Sequence, residues 1–180
     1  MLTITVPAKE LYDAEKGEFV YTKEQTMNLE HSLVSISKWE AKWCKPFLDN
    51  KKQKTNDEML DYVRCMTVTP NVNPYVYYAL TEENLKQITE YIDAPMTATW
   101  FSDKEKRTNQ KVMTSEIIYY MMIAFNIPAE YSKWHLNRLM TLIKICALEN
   151  SPKKKMGKKE LMSKNAALNK ARRKALGSNG

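Results

Sequence analysis

A chain of 180 residues has room for one ordinary domain and an extension, and 43% hydrophobic with 27% charged residues excludes a wholly disordered chain. The 4 glycines disfavour phosphate-cradling loops and an all-β fold, because both need backbone at positive φ. No apolar run reaches the roughly 18 residues that a membrane span needs, and the N-terminus lacks the order of a signal peptide, so we expect a cytoplasmic protein without membrane contact.

The first segments of the chain alternate apolar and polar residues, which is the pattern of short strands. LTITV at 2–6 and EFVYT at 18–22 predict two strands or a hairpin, and the alternation continues through Met27 and Leu29. A second hairpin is predicted around 97–113, where TATWF and KVMTS flank a polar, turn-like segment. We therefore expect a mainly α protein, or α+β with a minor component of short antiparallel strands, around a helical bundle-like core.

Helices are predicted where apolar residues recur every three or four positions behind a polar N-cap. The spacing of Leu33, Ile36 and Trp39 predicts a helix over about 33–45. A capping box, in which a Thr and the Glu three residues later satisfy each other's backbone donors, predicts the start of the next helix. An Asn-Pro pair then starts a short helical run, and a Thr followed by two glutamates opens a further helix. The predicted N-caps are Ser32, Thr55, Asn73 and Thr81.

Two further helices are predicted before the basic tail. Ser115 precedes EIIYYMMIAF, whose continuous apolarity predicts a helix that is buried nearly all round. Pro128 restarts the chain into a long amphipathic helix, which is the strongest helical pattern in the sequence. Its predicted buried set is Trp134, Leu136, Leu139, Met140, Leu142, Ile143 and Cys146.

The net charge of +7 is concentrated at the C-terminus. Residues 151–180 carry ten Lys and Arg against one acid, whereas residues 1–150 carry 18 bases against 20 acids. A fold that binds duplex DNA would carry a basic stripe of its own, and this body is slightly acidic. We therefore predict a mainly helical globular domain at 1–150 and a tail at 151–180, in which a basic linker leads to a C-terminal helical extension or a disordered segment that orders on binding.

The residues that could carry chemistry are few and scattered. Cys44, Cys65 and Cys146 stand among apolar residues, which predicts buried, reduced thiols. His31 and His135 lie far apart in sequence with no ligand cluster beside either one, and no nucleotide-binding or serine-hydrolase motif is present. We expect no catalytic residue, no metal site and no cofactor, and so a binding protein rather than an enzyme.

Partner binding is predicted at the start of the long helix and along the tail. Three roles of the tail stay open: contact with an acidic or amphipathic protein segment, which we favour, contact with nucleic acid, and a solvated extension. Formation of a homo-oligomer is a further open alternative. The predicted partner-binding residues are Trp134, Arg138, Lys153, Lys154, Lys155, Lys158, Lys159, Lys164, Lys170, Arg172, Arg173 and Lys174.

The C-terminal half carries a resemblance to a known family. The stretch from SEIIYYMMIAFNIP through KWHLNRLMTLIKICALE to SPKKKMGKKELMSKNAALNKARRKAL resembles the small tail assembly chaperones of long-tailed bacteriophages. The opening MLTITVPAKELYDAEKGEFVY resembles short phage structural-module proteins. The resemblance implies a non-virion factor, in the host cytoplasm, that keeps the tape measure protein soluble and helps recruit tail tube subunits. The alternatives are a small nucleic-acid-binding accessory protein that uses the tail and a phage structural connector protein.

Overall fold

The computed structural model describes residues 1–14, 16–49, 53–99, 101, 112–151, 162–163, 165–169 and 172. These residues form a mixed α+β structure in which helices are the majority and the strands form short antiparallel pairs. The chain divides into two compact units, Met1–Ala147 and Leu148–Gly180. Within the described ranges, no helix is both long enough and apolar enough to cross a membrane.

Four strands form two antiparallel pairs at the N-terminus. The predicted strands LTITV and EFVYT are confirmed, but they do not pair with each other. The outer pair, formed by residues 2–6 and 25–29, encloses in sequence the hairpin formed by residues 9–13 and 18–22. The alternating residues Ile4, Val6, Met27 and Leu29 of the outer pair are buried. The bounds are β1 Leu2–Val6, β2 Lys9–Asp13, β3 Glu18–Thr22 and β4 Gln25–Leu29.

Between the strands and residue 150, the described residues form five α-helices and two 3-10 segments. The N-cap predictions are confirmed for three α-helices, because the side chain of each cap accepts a hydrogen bond from the backbone N–H three residues later. Asn73 caps a 3-10 segment rather than an α-helix. The helices are α1 Leu33–Trp43, α2 Asn56–Met66, α3 Glu82–Asp93, α4 Ser115–Ala124 and α5 Leu136–Asn150, and the 3-10 segments are Pro74–Ala79 and Ala129–Lys133.

The prediction that α4 is buried nearly all round is wrong. Tyr120 and Ile123 leave 69% and 75% of their surface exposed, whereas Ser115, Ile118 and Met122 are buried. Helix α4 packs one face against α1 and leaves the other face open. A continuous apolar run has no periodicity that shows which face of the helix is buried. The burial of α4 was therefore mispredicted.

The predicted long helix begins later than expected. A 3-10 segment separates Pro128 from α5, so Trp134 precedes the helix instead of belonging to it. Of the predicted buried set, Leu136, Leu139 and Ile143 are fully buried, and the others are half-buried. The predicted hairpin around 97–113 lies largely outside the described residues, and those described there lie in no strand.

The cysteine prediction fails at one position. Cys44 is exposed, because it ends α1 in the left-handed conformation with a φ of 51°. Cys65 and Cys146 are half-buried. Burial raises the pKa of the Cys65 thiol, with the nearby Asp61 carboxylate adding to the effect.

Aromatic residues fill the core between α1 and α2. Trp39 is fully buried and its indole Nε1–H donates to the backbone oxygen of Glu58 at 2.8 Å. Phe47 stacks on Tyr62 with ring centroids 3.9 Å apart, and it meets Trp39 edge-on at 5.1 Å. These contacts fix α1 and α2 side by side, which positions the outer face of α2.

Candidate functional site

The buried carboxylates of the body are engaged in holding helices together. Glu58 accepts hydrogen bonds from Lys45 and from the backbone N–H of Thr55, and the contact with Lys45 is the main reason that the pKa of Glu58 is lowered. Glu40 accepts from the backbone N–H groups of Phe47 and Ser115, each at 2.7 Å. Both oxygens of each carboxylate are therefore occupied by structural contacts.

Asp61 is held in the same way on the next turn of α2. Its two carboxylate oxygens accept from the Lys42 ammonium and from the Trp43 indole N–H, the latter at 2.8 Å. Burial alone would raise the pKa of Asp61, but the hydrogen bonds from Lys42 and Trp43 outweigh burial and lower it. An ionised, fully bonded carboxylate of this kind is poorly suited to proton transfer.

The two histidines meet in the core although they are far apart in sequence. The rings of His31 and His135 are 5.1 Å apart, His31 shares a hydrogen bond with the Tyr62 hydroxyl, and His135 Nε2 donates to the backbone oxygen of Tyr91 at 2.9 Å. Burial, together with the charge of His135, lowers the pKa of His31 to about 4, and burial also lowers the pKa of His135. Both rings are neutral at pH 7, and sequence reasoning had no signal that they would meet.

No cluster of three or more His, Cys, Asp or Glu side chains with metal-binding geometry occurs within the described part of the chain. The buried carboxylates and the two histidines that the fold brings together have protein partners.

An apolar groove lies between α2 and α3. It has a volume of about 320 Å³, and its lining is mostly aliphatic. Met59 of α2 and Leu85 of α3 leave 41% and 43% of their surface exposed at this groove. The lining residues are Asn56, Met59, Leu60, Tyr62, Val63, Leu85, Ile88, Thr89 and Ile92.

The groove is lined by one face of each helix. Leu85, Ile88 and Ile92 repeat every three or four positions along α3, as do Met59 and Val63 along α2. Periodicity of this kind normally indicates a face that is covered by the protein's own core. Here the two faces line one groove that is open to solvent.

Two of the predicted partner-binding residues are brought together just before and within α5. The guanidinium of Arg138 lies 4.1 Å from the Trp134 ring centroid, and Trp134 stacks on Tyr131 with centroids 4.0 Å apart and planes 14° apart. Arg138 is exposed and Trp134 is half-buried. Because Tyr131 and Arg138 already cover the Trp134 ring, it is poorly placed to stack on a nucleobase.

The predicted tail residues are mostly not described. Arg172 is helical and exposed, as are the described residues 162–163 and 165–169. The remaining predicted residues lie outside the described residues, namely Lys153, Lys154, Lys155, Lys158, Lys159, Lys164, Lys170, Arg173 and Lys174.

The fold and the groove define a mainly helical protein whose body offers an apolar surface between two helices. Comparison with protein-family models, with curated proteins and with solved structures finds no match to this chain.

Proposed function

We propose that this protein is a non-catalytic phage tail assembly chaperone that binds an amphipathic segment of a tape measure or tail tube protein. The observation that carries the proposal is the solvent-open apolar groove between α2 and α3. Two helices that present aliphatic residues at three- and four-residue spacing form the surface into which a third amphipathic helix packs.

The energetics of the groove fit a partner of this kind. Covering a large apolar side chain contributes about 1.5–3 kcal/mol when the burial is complete, and both Met59 and Leu85 have substantial surface left to cover. The flexible thioether of Met59 adapts to side chains of different shape, which suits a chaperone that contacts many turns of a long client. Because its lining is aliphatic, the groove attracts apolar side chains of a client without requiring one particular client sequence.

In the proposal, charged residues around the groove help to orient the bound client. Helix α3 exposes Glu82, Glu83, Glu90 and Asp93 against Lys86, so this side of the body favours client segments with basic residues beside their apolar stripe. In the proposal the basic C-terminal extension supplies a second contact of opposite charge, suited to acidic stretches of the same client. The helical bundle-like body and the extension thus recognise different parts of one partner.

The polar residues of the body support a non-catalytic role. The buried carboxylates are taken up by backbone N–H groups and lysines, and the histidine pair bonds to core tyrosines. In this proposal the protein acts in the host cytoplasm, releases its client during assembly and does not remain in the virion.

The test is rescue of a client by co-expression. We expect the protein to raise the soluble fraction of the tape measure protein encoded beside it, and we expect Leu85→Asp and Met59→Asp to abolish this rescue, because each places a charge in the groove. The matched control is Tyr120→Asp, which introduces the same charge on the open face of α4, outside the groove.

Circular dichroism separates loss of binding from loss of folding, since both groove positions are partly exposed and all three variants are expected to fold. Rescue that survives both groove substitutions, or that Tyr120→Asp removes equally, would count against the proposal. Absence of rescue by the unmodified protein would reject it.

A further inference from the structure

The start of α5 is bonded to the rest of the body through the two buried histidines. The backbone N–H of Leu136, the first residue of α5, donates to the backbone oxygen of His31 at 2.9 Å. His135 immediately precedes α5 and forms an antiparallel bridge with Ser32, the N-cap of α1. The start of α5 is therefore joined to the connection between β4 and α1, and the two imidazole rings are in contact at this junction.

The ring of His135 makes two hydrogen bonds that only its neutral form can make together. Its Nε2–H donates to the backbone oxygen of Tyr91, and its Nδ1 accepts from the backbone N–H of Asn137 at 3.3 Å. The two partners fix the tautomer, because a carbonyl oxygen only accepts and a backbone N–H only donates. His135 thus acts as a cap, since its ring bonds to an N–H that the first turn of a helix leaves without an intrahelical partner.

Protonation of His135 removes this cap. The Nδ1 atom of an imidazolium carries a hydrogen, so the acceptor that faces the N–H of Asn137 becomes a second donor. The new positive charge also lies at the positive end of the α5 dipole, where a cation is unfavourable. When His31 is protonated as well, two buried cations with ring centroids 5.1 Å apart repel each other.

The titratable groups that face the pair leave the neutral rings favoured at pH 7. The carboxylate of Glu30 favours the protonated form of His135, and the N-terminal ammonium of Met1 opposes it. From α2 and α3, Tyr62 and Tyr91 face the rings with a hydroxyl and a backbone carbonyl, and both phenols stay neutral in acid because burial raises their pKa. Burial of the rings outweighs these contacts, so the pKa of both histidines is lowered.

The buried part of α5 lies beside the histidines. Of the fifteen residues of this helix, the buried ones are Leu136, Leu139 and Ile143, all within its first eight residues. The side-chain amide of Asn137 adds two hydrogen bonds, which it donates to backbone oxygens at the C-terminal end of α3. A helix with so few buried residues can open while the rest of the body stays folded.

We propose that His31 and His135 form an acid-sensitive latch, which holds the start of α5 against the body when both rings are neutral and releases it when they take up protons. The other helices and the strands stay folded at the pH at which α5 opens. The change differs from general acid unfolding, because it is confined to one helix and its junction. The latch does not depend on the chaperone proposal, and it gives the protein a second state in which the buried face of α5 is accessible.

Hydrogen exchange of the full chain, compared between pH 7 and about pH 4.5, tests the latch. The open state binds protons more readily, because the pKa of His31 is about 4 in the closed state and rises towards its ordinary value of 6.5 when the ring meets water. We expect the protection of the α5 amides, corrected for the intrinsic effect of pH on exchange, to fall by about tenfold or more at the lower pH. Amides within α1 and α2 should keep their protection to within about threefold.

Two substitutions remove the titrating rings. In His135→Asn the new side chain caps helices well at every pH, so the acid-induced fall in α5 protection should become smaller. Addition of His31→Gln should reduce the fall to less than about threefold. Glu30→Gln is the matched control, because Glu30 faces the same junction and carboxylates also take up protons in acid. This variant should keep the fall in α5 protection.

Loss of protection in α1, α2 and α5 together would show global unfolding and overturn the latch. Unchanged protection of α5 at the lower pH would overturn it as well. So would a full acid response in the double variant, or loss of the response in Glu30→Gln alone. Circular dichroism at pH 7 verifies that each variant is folded, and the comparison of α5 with α1 and α2 in the unmodified chain decides the question even where a variant fails to fold.

Discussion

Glu40 of α1 accepts a hydrogen bond of 2.7 Å from the backbone N–H of Ser115, the first residue of α4. The residue before α4, Thr114, makes no side-chain cap, so the carboxylate of a distant helix takes over the capping function. Its negative charge also suits the positive end of the α4 dipole. This one side chain joins two helices that the sequence separates by 75 positions.

Replacing Glu40 should therefore destabilise the body. In Glu40→Ala, the N–H groups of Phe47 and Ser115 lose their shared acceptor in a buried place, and we expect the free energy of unfolding to fall by about 2–3 kcal/mol. Urea denaturation measures the change. Glu90→Ala, which removes an exposed carboxylate from α3, is the control and should shift the free energy by less than about 0.5 kcal/mol.

The histidine pair predicts a loss of stability in mild acid. His31 has a pKa of about 4 in the folded protein, below its ordinary value of 6.5, so the unfolded chain binds more protons between these two values. The contribution of His31 is fully present above pH 6.5 and is lost as the pH falls from 6.5 to about 4. The lowered pKa of His135 acts in the same direction.

The size of this effect follows from the fall of the His31 pKa from 6.5 to about 4, and it amounts to about 3 kcal/mol. Urea unfolding at a series of pH values between 4 and 7 measures it. In His31→Gln the slope over this range should become shallower, whereas a slope equal to that of the unmodified protein would show that His31 does not titrate as inferred.

Local chemistry explains what the sequence could predict. An N-cap depends on one side chain and the backbone of the next turn, so Ser32, Thr55 and Thr81 were recognisable without any knowledge of the fold. Strand pairing depends on distant residues: alternation marks β1 as a strand but cannot reveal that its partner is β4, beyond an intervening hairpin. Strand β2 was not predicted from the sequence. Its Tyr12 is an aromatic residue on the exposed face, so apolar and polar residues do not alternate clearly along the strand.

Only part of the candidate site could be predicted from the sequence, for a related reason. Leu85 and Ile88 lie three positions apart on one helix face, yet a face that packs on the core and a face that borders an open groove have the same pattern in sequence. The Tyr75 hydroxyl donates to Asp13 Oδ2 at 2.7 Å across 62 positions of sequence, a contact that no local pattern encodes. The groove between α2 and α3 likewise emerges only from tertiary packing.

The stacked arrangement of Trp134 and Arg138 predicts a measurable coupling. A guanidinium over an indole at a partly exposed position contributes about 0.5–1 kcal/mol. In a double-mutant cycle of Trp134→Leu and Arg138→Ala, the free energies of unfolding should be non-additive by that amount. Additive effects would show that the two side chains are neighbours without attraction.

The basic tail gives the test that separates protein binding from nucleic-acid binding. If the chaperone proposal holds, the full chain should bind single- or double-stranded DNA only weakly at physiological salt, because the body at 1–150 is slightly acidic. Fluorescence anisotropy with labelled oligonucleotides at several salt concentrations measures this. Tight binding whose affinity falls steeply with salt and disappears when residues 151–180 are deleted would instead favour the nucleic-acid alternative, since release of counterions from neutralised phosphates produces that dependence.

The same deletion should leave the groove between α2 and α3 able to bind an amphipathic peptide, because every residue that lines this groove belongs to the body.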